Sequence, residues 1–197
     1  MFGWLASFGV QSRARSNATT RWLRLKPRTL FEGLGQLGGV LYLARQDIAT
    51  SAEAARPHGC LVESAGLAPL LATHHVGLTC AITAEGPREW IDCVSRDGDT
   101  VARIYLLPDT DYLAWDGLFA GAMPSDAPVH RAPDRDWLRA SRARVLCFTR
   151  RRMAGFTVLG TCDAPISSLG RGVARDIAVS VAAEVSYGSS CATTEQR

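Results

Sequence analysis

Four histidines occur in the 197-residue chain, at His58, His74, His75 and His130. Two are adjacent, immediately ahead of the run VGLTCAIT (76–83), whose large and small residues alternate as in a strand. A neutral imidazole at a strand start is a ligand for a metal ion or a heme iron; a solvated histidine pair is the plainer reading. Six arginines crowd positions 139–152: Arg139, Arg142, Arg144, Arg150, Arg151 and Arg152. Their forked guanidinium groups suit carboxylates and phosphates, or they form a solvated face. No aromatic interleaving or recognition-helix pattern accompanies them, which argues against specific nucleic-acid readout.

Other chemistry is thinly represented. The chain has no GxSxG, phosphate-binding P-loop, GxGxxG or HExxH sequence. The glycine-rich stretch GLGQLGG (33–39) ends a helical pattern instead of preceding one, so it cannot cradle a phosphate at a helix N-terminus. Asp97, Asp99, Asp109, Asp111 and Asp116 surround turns and a helix start, where capping chemistry accounts for them. The six cysteines form no CxxC pair and lack metal-ligand spacing. Cys80, Cys93 and Cys147 lie in apolar, strand-like runs and read as small buried hydrophobes.

The elements that must carry these residues follow from the pattern of apolar positions. With 47% hydrophobic and 21% charged residues, the chain can fill the core of an ordinary domain. The net charge of +3 is mild, and the basic residues are arginine except for Lys26. A short helix is expected at 4–10, a loop at 11–20, a helix opened by Pro27, and a strand at 40–44. Segment 49–56 is ambiguous between helix and strand. Residues 89–106 read as a hairpin turning at Asp97-Gly98, with Pro108 stopping the ladder. A helix capped by Asp109–Asp111 should follow, with Tyr112, Trp115, Leu118 and Phe119 on or beside its buried face. Prolines mark 123–136 as a linker. Beyond it come a short helix around Trp137, strands in VLCFT and FTVLG, and the apolar run DIAVSVAAEV. VLYLARQDIA from Val40 resembles VLCFTRRRMA from Val145, and HVGLTCAITAEG from His75 resembles DIAVSVAAEVSYG from Asp176, a weak internal repeat. Dense hairpin signals without βαβ alternation predict an α+β fold dominated by antiparallel strands. No apolar run has the roughly 20 residues of a membrane helix, and the N-terminus lacks a signal-peptide pattern. A cytoplasmic location with reduced thiols is therefore expected.

Several segments, in order, resemble the cytoplasmic hemin-transport and hemin-degrading factor (HemS-like) family. LASFGV is similar to that family's N-terminal helix, and WLRLKPRTLFEGLGQLGGVLYLARQD to its helix, Leu-Gly and strand segment. THHVGLTCAIT is similar to its Ser-His-Trp strand, DGDTVARIYL to its hairpin, and DRDWLRASRARVLCF to the helix opening its second half. The resemblance covers residues 4 to about 150. It implies a large antiparallel sheet flanked by helices, either one half of the family's two-half architecture or a trimmed repeat. The corresponding division is a half-domain at 1–122, a linker at 123–136, a partial second repeat completing the sheet at 137–188, and a polar tail at 189–197.

The resemblance also implies a bacterial heme-utilisation protein that carries or sequesters heme, with a heme importer or heme-handling protein as partner. The family's iron-ligating histidine falls on Arg144, which cannot ligate iron. His74 or His75 is the surrogate metal ligand, and Arg45, Arg103 and Arg144 are the other candidate cofactor-binding residues. Heme degradation ranks below binding. The alternative is a non-catalytic module of the same fold that contacts a protein or an anion through its arginine cluster.

Overall fold

The computed structural model describes residues 18–45, 59–128 and 142–187. The expected helices at 4–10 and around Trp137, the ambiguous segment 49–56 and the polar tail lie outside them. The described strands are β1 (Ala18–Arg24), β2 (Gly38–Ala44), β3 (Cys60–Val62), β4 (His75–Thr83), β5 (Gly86–Val94), β6 (Thr100–Thr110), β7 (Met123–Pro124), β8 (Arg142–Met153), β9 (Phe156–Cys162) and β10 (Glu184–Tyr187). They form one sheet in the order β3-β9-β8-β2-β6-β5-β4-β1-β7, with β10 added beside β8. Pairing is antiparallel except for β3 with β9 and β10 with β8. This is the expected α+β architecture, a large antiparallel sheet with few helices.

The sheet separates two apolar clusters because successive side chains of a strand point to opposite faces. Val40, Tyr42, Ile91, Cys93, Ile104, Leu146 and Phe148 face one cluster; Leu41, Leu43, Tyr105, Leu107, Ala143 and Val145 face the other. The first face is covered by α1 (Pro27–Leu34), the 3-10 helix Ala65–Ala72 and α2 (Tyr112–Gly117). Pro27 starts α1 where a missing N–H costs nothing, and Leu30, Phe31 and Leu34 are its buried stripe. Tyr42 reaches through this core to donate to the Gly66 carbonyl at 2.9 Å, fastening the 3-10 helix to the sheet. The second face carries α3 (Ser168–Ser180), whose Ala174, Ile177 and Ala178 are buried. Ser167 caps α3 and donates through its backbone N–H and its hydroxyl to Asp109, at 2.8 and 3.0 Å, tying the helix start to the end of β6.

Several local expectations change. Residues 18–20 belong to β1 instead of a loop, because Thr20 and its neighbours pair across to β4. Pro108 does not end the ladder: β6 continues to Thr110, with an irregularity in the β2–β6 register between Gly38 and Val40. The Thr110 hydroxyl fills that break, accepting from the Leu107 N–H at 2.8 Å and donating to the Gly39 carbonyl at 2.6 Å, and a proline is tolerated at such a bulge. Met123 and Pro124, expected in a linker, form the short β7 against β1. Only the first half of DIAVSVAAEV lies in α3 and its end enters β10, so this part of the internal repeat aligns a strand with a helix end and a turn. Its other half aligns β2 with β8, which are neighbouring antiparallel strands of one sheet. Cys93 is buried as expected, but Cys80 is exposed and Cys147 only half-buried.

The helix after β6 is shorter than expected. Asp111 alone caps it, accepting from the Ala114 N–H at 3.0 Å. Trp115, Leu118 and Phe119 are buried, whereas Tyr112 remains 54% exposed. Trp115 is 1% exposed, and its Nε1–H donates to Glu89 of β5 at 2.7 Å. Trp115→Ala should therefore cost about 3–5 kcal/mol, combining the transfer and cavity terms for a buried aromatic. Denaturant melts of the two proteins measure it; a loss below about 1 kcal/mol would show that this side chain does not anchor the helix.

Candidate functional site

Sheet register brings the ends of six strands together. Arg24 of β1 lies opposite His75 of β4, His75 opposite Val94 of β5, and Val94 opposite Thr100 of β6. The Arg45 N–H, just past β2, donates to the Val101 carbonyl, and Leu43 pairs with Ala143 near the start of β8. His75, Arg45 and Arg144, distant in sequence, therefore occupy one end of the sheet. At about 4.8 Å per strand, His75 and Arg45 are three strands, or about 14 Å, apart.

His74 and His75 form the focus of this end. The 3-10 helix delivers the chain to Thr73, and the His74 N–H then bonds the Val94 carbonyl at 2.8 Å. The two imidazole rings lie with centroids 4.7 Å apart at a 56° tilt, both half-buried. His75 Nδ1 is 3.3 Å from the Ser125 hydroxyl. His74 Nδ1 is buried without a hydrogen-bond partner. Beside His75, Arg24, Met123, Pro124, Ser125 and Asp126 line a shallow, open and mainly polar cleft of about 370 Å³.

The electrostatics favour neutral rings. Burial lowers the pKa of His74 below the ordinary histidine value, and the positive charges of Arg24 and Arg96 lower it further. Burial lowers that of His75 as well, with contributions from His74 and Arg24. A neutral imidazole retains a lone pair for a metal. The hydrogen bond at His75 Nδ1 orients that ring and leaves the Nε2 lone pair available to a metal, an arrangement common among metal-ligating histidines. The arginines supply positive charge for a carboxylate.

The other candidate residues have different surroundings. Arg103 is on the same face as His75, but its guanidinium forms a two-pronged pair with Asp92, at 2.6 Å from Nε and 3.0 Å from the second nitrogen. The Trp90 and Tyr105 rings flank it at 5.2 and 5.8 Å, and Trp90 also donates to Asp92. Burial works against the Arg103 charge, yet Asp92 and Tyr105 together more than offset it and the net pKa is raised. Arg45 lies 3.9 Å from Asp99. Arg144 projects from the opposite face of the sheet from Arg103, because Tyr42 pairs with Arg144 and Leu43 with Ala143. Farther along β8, Arg151 pairs with Glu63 and Arg152 with Glu32.

Arg24, Arg96 and Ser125 were not singled out from the sequence. Each stands within a stretch of ordinary surface composition, and only strand register places it beside the histidines.

No protein-family model matches the chain, and no curated protein matches it significantly. Solved structures do show a partial likeness. ChuS, a heme oxygenase of Escherichia coli, is 17% identical with a TM-score of 0.40, covering 55% of this chain and 36% of its own. The heme-degrading enzyme ChuS of E. coli O157:H7, in improved coordinates, is 18% identical with a TM-score of 0.40, covering 61% and 41%. PhuS, a heme-binding protein of Pseudomonas aeruginosa, is 21% identical in its heme-bound form with a TM-score of 0.37, covering 61% and 43%. This chain thus spans about two fifths of the length of the proteins it is similar to.

Two outcomes test the geometry. Asp92→Ala removes the counter-charge of the half-buried Arg103, and should cost about 3 kcal/mol in denaturant melts. Adding Arg103→Ala should recover part of that loss, giving a favourable coupling energy in a double-mutant cycle; additive losses would show that the pair does not interact. The second outcome concerns pH. Because the folded-state pKa values of His74 and His75 lie below that of the unfolded chain, about 6.5, the unfolded chain binds protons first as pH falls. Their contribution is complete above about pH 6.5 and declines below it. His74→Gln combined with His75→Gln should flatten the fall in stability just below pH 6.5, and an unchanged pH profile would contradict the shift.

Proposed function

We propose that this chain binds heme and carries or sequesters it in the cytoplasm, with His75 or His74 as iron ligand. The observation that supports this most directly is the His75 ring, held by Ser125 through Nδ1 and kept neutral beside Arg24 at the edge of a cleft. The donor set fits a heme: imidazole for the iron, and arginine for the anionic propionates. Arg24 and Arg96 join Arg45 as the proposed propionate partners; Arg103, already paired with Asp92, serves the sheet first. The proposed partner is a heme importer or another heme-handling protein that supplies or receives the cargo.

The alternative, a non-catalytic module using the arginine cluster for a protein or anion, has less support. Arg151 and Arg152 already have carboxylate partners on neighbouring elements. Within the described residues, no helix is long and apolar enough to cross a membrane.

Hemin titration followed by absorbance tests the proposal. The unmutated chain should give a saturable, sharpened Soret band. His74→Ala with His75→Ala should abolish it while the far-UV spectrum remains unchanged, and Arg24→Ala should weaken binding. Absence of saturable binding by the unmutated chain sinks the heme reading, whereas an unchanged Soret band in the double variant rules out both histidines as ligands.

A further inference from the structure

The β8–β9 hairpin holds two cysteines that the proposed heme site does not use. Cys147 and Cys162 are direct cross-strand partners. Such partners have Cα atoms about 4.5–5.5 Å apart, inside the roughly 4.4–6.8 Å range of disulfides. As direct partners on adjacent antiparallel strands, the two side chains lie on the same face of the sheet. Their register is set by the two-residue turn Ala154-Gly155, with φ of 48° and 83°, the paired positive values that match the twist of a tight hairpin. Slipping that register by one residue would turn every side chain to the wrong face, so the thiols are held together as long as the hairpin is folded.

Accessibility distinguishes this pair from the other described cysteines. Cys60 and Cys93 are buried, and Cys80 is exposed on β4, separated from β9 by β8, β2, β6 and β5. Cys162 is exposed and Cys147 half-buried. A small oxidant therefore reaches Cys162 first, with Cys147 alongside.

We propose that Cys147 and Cys162 are a reversible dithiol–disulfide couple that exchanges with low-molecular-weight disulfides of the glutathione type. The Cys162 thiolate attacks one sulfur of the small disulfide, whose S–S bond breaks. A mixed disulfide forms and one small thiol leaves, taking up a proton. Cys147 then gives its proton to solvent, and its sulfur attacks the Cys162 sulfur, releasing the second small thiol. Two protein thiols are oxidised, and one small disulfide is reduced to two thiols. Burial and the neighbouring Cys162 push the Cys147 thiol up to about 11, which agrees with entry at Cys162 and resolution by Cys147.

The product closes residues 147–162 into a ring. Cys162 is the last residue of β9, and the following segment leads to Ser167, which Asp109 holds at the start of α3. Oxidation therefore ties the base of the hairpin at the point where the chain leaves the sheet for α3.

The full chain, fully reduced, should be equilibrated in buffers of stepped oxidised-to-reduced glutathione ratio, quenched by acid and alkylation, and peptide-mapped. The expected product is one intramolecular Cys147–Cys162 link, reversible on restoring reduced glutathione, with a higher thermal midpoint than the reduced protein. Cys147→Ser should stop at a glutathione adduct on Cys162, and Cys162→Ser should leave Cys147 unmodified. A stable adduct on Cys162 in the unmutated chain, a link from either residue to another cysteine, or two free thiols at the most oxidising ratio would each overturn the proposal. The map of the unmutated chain decides even if a serine variant folds poorly.

Discussion

Residues Gly39 to Leu43 of β2 are buried on both faces of the sheet, and most of the architecture follows from that constraint. Backbone polar groups of such a strand cannot reach water, so both of its edges must be paired. β6 and β8 do this in antiparallel register. Its side chains then require apolar cover on two sides: Val40 and Tyr42 belong to one cluster, Leu41 and Leu43 to the other. α1, α2 and the 3-10 helix satisfy the first demand and α3 the second. The Asp109–Ser167 bonds hold α3 in place, just as the Tyr42–Gly66 bond holds the 3-10 helix.

Away from β2, the sheet handles half-buried positions with mixed chemistry. At β1 and β4 the Trp22 ring occupies the space above Gly77: a Cβ there would lie 2.8 Å from the indole, so glycine permits the close approach. One strand over, Asp92 and Arg103 form a charge pair flanked by Trp90 and Tyr105. Burying either charge alone would be costly, and the two-pronged geometry with aromatic contacts compensates it. This row lies beside the histidine end and keeps its strands in register, which is what a site assembled from several strand ends needs.

The histidine end has the opposite character. It carries polar side chains on strand ends and turns, with burial first and Arg24 after it lowering the proton affinity of the paired imidazoles, joined at His74 by Arg96 and at His75 by His74. Rigid sheet positions one ring directly, since His75 opens β4, and the short β7 segment brings Ser125 to it. A ligand-binding role and a stable sheet are compatible here because the polar groups sit at the margin of the core.

Much of the sheet was readable from the sequence because its information is local. Alternation over VLYLA and VGLTCAIT, the Asp97-Gly98 turn and the apolar stripe after Pro27 each report the environment of a few neighbouring residues. The His74-His75 pair was visible for the same reason, being adjacent in the chain. DIAVSVAAEV reads only as an apolar run because its small and β-branched residues suit either form; burial of Ala174, Ile177 and Ala178 against the second sheet face makes its first half helix, while its end joins β10. Pro108 was misread because the Thr110 hydroxyl, which bridges the break in the β2–β6 ladder, bonds to Gly39 on another strand. Strand register likewise decided what no single segment contains: that Arg24 and Ser125 meet His75, that Asp92 takes up Arg103, and that Cys147 faces Cys162. The residue types were legible locally, but their partners come from distant parts of the chain, and only the tertiary structure sets which groups share a neighbourhood.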